Sequence, residues 1–370
     1  MLPCDIGAEL ARLIAAAVTA GELPPAAGTA SAAGTWRPPP GGAPGTYSSS
    51  LPFRLADASA APGIAALLAA GLAGRDWISA ATVTGAGYLT VTVTADALAG
   101  LAVRVSQAGP ACARSDALRG LVLRAPPDAD LITAPTWAQA HRRLVAAVTG
   151  RLARAAGAQV KTDQDSERMT PPGLTAGVPP GPAGVAVAFA GADAIVYALA
   201  RVPAGQAAAI DVAQSVRHVL ANPFYAVTFA RADASATLRR AAGLGLSRGE
   251  PAGFEPRLLA DPAELALLGV ISWLPERVAA AARRGQPRAL TRYLEELAGA
   301  YLDVRESCPA LPAGGRSAPR DAATARARLW LADAAATALG AGLGLLGPMR
   351  GNSRPATVIQ QPAKWVSPGM

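Results

Sequence analysis

The chain has 370 residues, 51% of them hydrophobic and 5% aromatic, which is enough to bury a core in two or three domains and too apolar for a disordered protein. With alanine dominating the apolar class, that core has to come from close-packed Ala and Leu helices. The formal charge of +8 rests on arginine, since Lys161 and Lys364 are the only lysines, and residues 201–370 hold 20 Arg or Lys against 13 Asp or Glu.

The planar guanidinium fork suits phosphate oxygens, so the charge is explained either by a polyanionic partner or by a compositional bias toward arginine. Cys4, Cys112 and Cys308 are odd in number and far apart, which argues against a disulfide framework and against a cysteine-based zinc site. The start, Met1-Leu2-Pro3-Cys4-Asp5, lacks the cationic lead of a secretory signal, and a cytoplasmic location is the expectation.

In chain order, Ile6, Leu10, Leu13, Ile14 and Val18 recur at helical spacing and predict an amphipathic helix over residues 6–22. A Pro/Gly-rich loop follows to Gly45, then a helical segment around Pro62–Gly74, then the alternating run Tyr88–Thr94, whose period of two marks a half-buried strand. These define a small α+β domain over residues 1–105. The stretch 106–200 gives an apolar run at Leu121–Leu123, an Arg/Ala-rich helix from Trp137 to Ala156, and a Pro/Gly-rich linker over 161–184. Residues 201–350 read as helix after helix, punctuated at Pro223, Gly243–Gly245, Pro275, Pro287 and Pro309, and residues 351–370 as a flexible tail. Leu329–Gly347 is apolar apart from Asp333. A carboxylate near a bilayer centre costs a few kcal/mol, so this segment is read as a buried helix and no membrane partner is expected.

The helical third resembles a known family. Leu258–Leu268, Pro287–Ala298, Glu306–Leu311 and Ala341–Gly347 are similar, in order, to the DALR anticodon-binding domain of arginyl-tRNA synthetases. Asn222-Pro223-Phe224-Tyr225-Ala226-Val227-Thr228-Phe229-Ala230-Arg231-Ala232 resembles the family stretch Asn-Pro-Val-Tyr-Tyr-Val-Gln-Tyr-Ala-His-Ala-Arg, with Thr228 for the Gln, Arg231 for the His and Asp233 for the last Arg. Gly45–Ser49 and Gly85–Val91 look like the N-terminal domain that contacts the tRNA elbow. The resemblance implies an α+β N-terminal domain, an eroded α/β remnant of a class I catalytic domain, and a C-terminal all-α DALR-type bundle, mainly helical overall.

Class I enzymes of this kind use a His-x-Gly-His signature, in which two imidazoles steady the phosphates and the glycine lets ATP approach the backbone. The matching stretch here reads Ala138-Gln139-Ala140-His141. Only His141 survives, and it is read as a helix-surface remnant. The Lys-Met-Ser loop is echoed by Arg168-Met169-Thr170, and Asp163, Asp165 and Glu167 form an acidic cluster read as solvated linker, so no metal is expected. His218 is read as a solvated residue in a polar helix.

The leading expectation is therefore a tRNA-binding member of the family, holding tRNA or a tRNA-like RNA without charging it. Arg283, Arg284, Arg288, Arg292, Arg326 and Arg328 are the candidate phosphate contacts, with Tyr293 as a stacking or packing residue and Tyr47 as a further RNA contact. No cofactor is expected on that reading. The alternatives are an arginine–tRNA ligase using ATP and arginine, in reduced form or completed by a partner chain, and a protein-interaction module. The oligomeric state is open.

Overall fold

The computed structural model describes residues 3–29, 32, 34–126, 131–162, 181–203, 206, 210–311 and 322–347. The expected tail, the Lys-Met-Ser echo and the 163–167 acidic cluster lie outside the described residues.

The N-terminal part is built on a four-stranded antiparallel sheet in the order β1-β2-β4-β3, formed by β1 (Trp36–Arg37), β2 (Thr46–Ser49), β3 (Ile78–Thr84) and β4 (Tyr88–Val93). The alternation read at 88–94 is realised in β4. Leu89, Val91 and Val93 are buried, while Thr90 and Thr92 on the other face meet Thr84, Ser48 and Thr46 through hydroxyl contacts. The hairpin joining β3 to β4 turns at Gly85 and Gly87, both with positive φ, a conformation open to glycine. Helices α1 (Pro3–Thr19), α2 (Pro52–Leu55) and α3 (Ala61–Leu72) cover the apolar side. Ile6, Leu10 and Ile14 of α1 are buried as their spacing predicts.

Two short helices, α4 (Ala95–Ala99) and α5 (Leu101–Ala108), and a 3₁₀ turn at Gly109–Ala113 lead out of this sheet. The parallel pair β5 (Val122–Ala125) and β6 (Gln159–Thr162), connected through α6 (Trp137–Ala155), follows. This β-α-β unit lies in the stretch expected to be α/β, and among the described residues its sheet has two strands. Gly150 lets α6 lie close on the sheet, because a Cβ there would sit 2.6 Å from the Ala125 side chain. Helices α7 (Pro182–Ala190), α8 (Ala192–Ala200) and α9 (Val212–Ser215) connect to the bundle.

The bundle comprises α10 (Pro223–Gly243), α11 (Pro262–Ser272), α12 (Leu274–Arg284), α13 (Pro287–Ser307) and α14 (Ala322–Leu346). Pro223, Pro262 and Pro287 each occupy the first turn of their helix, where the missing amide hydrogen has no intrahelical partner to lose. Pro262–Arg284 and Ala322–Leu346 are each long and apolar enough to cross a membrane, but two-thirds of each apolar window is buried within the fold. The lone acid of the second, Asp333, is ion-paired with Arg248, whose guanidinium also covers the Trp330 ring at 4.3 Å.

The apolar interior is continuous across the boundary expected at residue 105. Helix α5 and the 3₁₀ turn pack on α14, α4 packs on α11, and α6 packs on α12. Arg151 of α6 donates to the carbonyls of Leu345 and Leu346 at 3.1 and 2.6 Å, satisfying the open end of α14. Tyr47 of β2, fully buried, packs its ring against Trp273 between α11 and α12 at 5.2 Å. Replacing Tyr47 with Ala removes a ring from this shared core and should cost roughly 3–5 kcal/mol. Urea unfolding followed by helical circular dichroism should show the whole transition moving to lower denaturant, and an unchanged midpoint would show the sheet and bundle to be energetically separate.

Candidate nucleic-acid interface

The predicted contact residues fall into three structural roles. Tyr47 and Tyr293 are core residues, so Tyr293 takes the packing role of its two expected ones and Tyr47 is enclosed away from the surface: Tyr47 hydrogen-bonds the Ser272 side chain, and the Tyr293 hydroxyl donates to the Val270 carbonyl at 2.9 Å. Burial pushes both phenols above their ordinary pKa.

Arg328 and Arg283 are tied to the fold. Helix α11 begins with a capping box, in which the Asp261 side chain accepts from the Ala263 amide and Glu264 accepts from the Asp261 amide at 3.1 Å. Glu264 is only 1% exposed, and Arg328 reaches it from α14 at 2.7 Å while also donating to the Pro309 carbonyl. Arg283 lies over Gly34, where φ is +72° and a Cβ would come within 2.5 Å of the guanidinium. Beside it, the buried Glu276 carboxylate accepts from the Gly34 amide; burial raises its pKa, opposed by that hydrogen bond and by Arg283. The loop before β1 is thereby fastened to the end of α12.

Arg284, Arg292 and Arg326 are exposed and Arg288 half-buried, and none of the four has an ion-pair partner among the described residues. Arg284, Arg288 and Arg292 flank the α12–α13 turn. Arg326 does not join them: its neighbour Arg328 bonds Pro309 beyond the far end of α13, about 30 Å away at 1.5 Å per residue. The arginine set is one cluster at the turn plus an outlying pair at the opposite end.

His141 sits in the first turns of α6, a helix capped by Thr136. It is 5% exposed, not on the helix surface as expected. Its ring donates to the Val202 backbone carbonyl, Nε2 has no partner among the described residues, and desolvation lowers its pKa. Ala140 beside it is fully buried. A cavity of about 690 Å³ between α10, α13 and α14 has Asp233 on its wall, which meets Arg305 at 3.1 Å, Arg240 at 3.5 Å and the Tyr301 hydroxyl at 3.0 Å.

One feature of α10 escaped the sequence reading. His218 lies in irregular backbone after α9, not in a helix, and its ring stacks on Tyr225 at 5.3 Å and 15°; Tyr225 stacks on Phe229 at 5.7 Å and 22°. Arg305 covers Phe229 at 5.7 Å. Tyr225 and Phe229, four residues apart, carry the helical signal for the pair, but His218 joins them only through the fold.

Residues 229–348 match the family described as DALR anticodon binding domain, a range running from within α10 through α14. The C-terminal bundle is therefore a DALR-type helical domain. Among similar proteins are the arginine–tRNA ligases of Micrococcus luteus, 41% identical over 44% of this chain and 29% of that protein, and Clavibacter sepedonicus, 40% identical over 42% and 27%. Over this domain the chain is similar to the arginyl-tRNA synthetases. It spans less than a third of the length of these relatives. A solved Thermus thermophilus arginyl-tRNA synthetase is similar over 61% of this chain and 39% of that one, with a TM-score of 0.34 and 20% identity.

Two outcomes separate structural from surface arginines. Arg328→Ala leaves a buried carboxylate unpaired and should destabilise the protein by about 3–5 kcal/mol, whereas Arg326→Ala should change stability by less than about 0.5 kcal/mol. Equal melting temperatures for the two variants would contradict this division. For His141, the folded pKa lies below the unfolded value of about 6.5, so the unfolded chain binds more protons in acid. The stability held by the neutral ring is complete above about pH 6.5 and is lost as pH falls toward the folded pKa. Melting at pH 7.5 and 5.5 should show a larger acid loss in the wild type than in His141→Gln, and equal losses would remove this assignment.

Proposed function

We propose that this chain binds tRNA through its DALR domain and does not aminoacylate it. The observation that carries the reading is the match of residues 229–348 to an anticodon-binding domain, together with arginines at the α12–α13 turn of that same domain that have no ion-pair partner among the described residues. Exposed guanidinium groups without acidic partners keep their charge available for phosphate oxygens. The docking of the N-terminal loop at Gly34 against Arg283 brings the α+β part beside this turn, so one RNA can meet both.

A binding role rather than a catalytic one is supported by the eroded signature. Ala138 and Ala140 replace a His and the Gly, and the remaining imidazole is packed against Val202. A single lost donor to developing charge typically costs a factor of about 10²–10³. Neither ATP nor arginine is required on this reading. The names of the relatives favour a second reading, that of an arginine–tRNA ligase completed by a partner chain.

Filter binding of tRNA should give salt-dependent affinity. Arg288→Ala with Arg292→Ala should weaken binding at every salt concentration and flatten the log–log slope by about one per lost contact. Affinity equal to that for random RNA, or an unchanged slope, would remove the proposal. Arginine-dependent ATP–pyrophosphate exchange by the purified chain should not rise above background; exchange by the chain alone would establish the ligase reading instead.

A further inference from the structure

The outward surface of α10 carries groups that neither the fold nor the α12–α13 cluster uses. Val227, Ala230, Ala234 and Ala241 bury one side of the helix. The opposite side presents two adjacent rows. The first is the His218–Tyr225–Phe229 stack, whose planes lie within 15° and 22° of parallel from ring to ring. Phe229 is covered at one end by Arg305, while His218 at the other end is exposed, so the stack ends on an open ring face. The second row is an open recess of about 460 Å³ lined by Phe224, Thr228, Arg231, Ser235 and Arg239 of α10 and Asp193 of α8.

Arg231 and Arg239 have no ion-pair partner among the described residues. Arg231 is held in place by lying over Gly340 of α14, where a Cβ would come within 3.2 Å of its Nε. The one acid in the recess, Asp193, makes no ion pair with either arginine. Asp233, the other acid nearby, is already taken up by Arg305, Arg240 and Tyr301. Residues 217–240 carry four arginines against that single acid.

We propose that this face of α10 is a track for a single-stranded segment of RNA, with a base continuing the stack at His218 and phosphates held by Arg231 and Arg239. Aromatic platforms beside partnerless cations are what an unpaired polynucleotide recognises, because every base has a π-face and every nucleotide a phosphate. Val219 and Leu220, 47% and 57% exposed, extend the apolar edge next to His218. A protein helix docking here would instead have to bury Arg231 and Arg239 without acids among the described residues paired to them. The inference rests on the RNA-binding reading above but places a contact on a different surface from the α12–α13 turn.

The test uses the full chain, a fluorescein-labelled unstructured 12-nucleotide RNA and a tRNA transcript. Tyr225→Leu with Phe229→Leu should weaken 12-mer binding at least about fivefold at an unchanged salt slope, since ring stacking involves no counterion. Arg231→Gln with Arg239→Gln should weaken it and flatten the slope. Tyr225→Phe, which keeps the ring, should bind as the wild type does, and melting temperatures identify any variant that has merely lost its fold. A 12-mer carrying 4-thiouridine should cross-link to peptides containing residues 217–240. Wild-type affinity in the leucine variant, or cross-links confined to the α12–α13 turn, overturns the track while tRNA binding stands. Failure of the wild type to bind either RNA overturns both.

Discussion

The ion pair of Arg328 with Glu264 shows the constraint under which this molecule is built. A carboxylate 1% exposed is tolerable only with its charge and lone pairs met. Glu264 achieves this by closing the α11 capping box and receiving a guanidinium from α14. Other carboxylates of the C-terminal half are also paired. Asp333 takes Arg248, Glu295 takes Arg201 at 2.7 Å, and Asp233 takes Arg305 and Arg240. With an aromatic-poor core of alanine and leucine, these ion pairs and the carbonyl caps made by Arg151 fix the register in which smooth helices pack.

The same accounting defines what is left for a partner. Arginines that meet a buried carboxylate are unavailable to phosphate, so a count of basic residues overstates the charge a ligand would feel. Two groups of arginines without ion-pair partners among the described residues stand together: Arg284, Arg288 and Arg292 at one turn, and Arg231 and Arg239 on one face of α10. Local fields rather than the total charge of +8 steer a polyanion.

Much of the fold was legible in the residues because the signals were local. The α1 spacing, the β4 alternation, the prolines at 223 and 287, and the ordered DALR-like segments each placed an element correctly. Strand β3 was not read, since Ile78–Thr84 is largely exposed and shows no clean alternation, and it is held by pairing with β4. The sites were less legible because their roles depend on distant partners. Nothing near Tyr47 in the chain announces Trp273, nothing near Arg328 announces Glu264, and His218 joins Tyr225 only after the backbone turns at Asn222. That turn is itself fixed by Asn222, whose amide donates to the Ser215 and Arg217 carbonyls and whose side-chain oxygen accepts from Phe224.

His141, the imidazole singled out by the motif resemblance, is enclosed between α6 and the chain after α8, in surroundings that favour the neutral ring. The same helix keeps a structural task through Arg151. The claim that this chain holds tRNA is tested most directly by cross-linking the native protein in its cells with ultraviolet light and sequencing the RNA that stays attached. The account predicts full-length tRNA as the dominant species. Protein free of RNA, or fragments of other RNAs in proportion to their abundance, would contradict it.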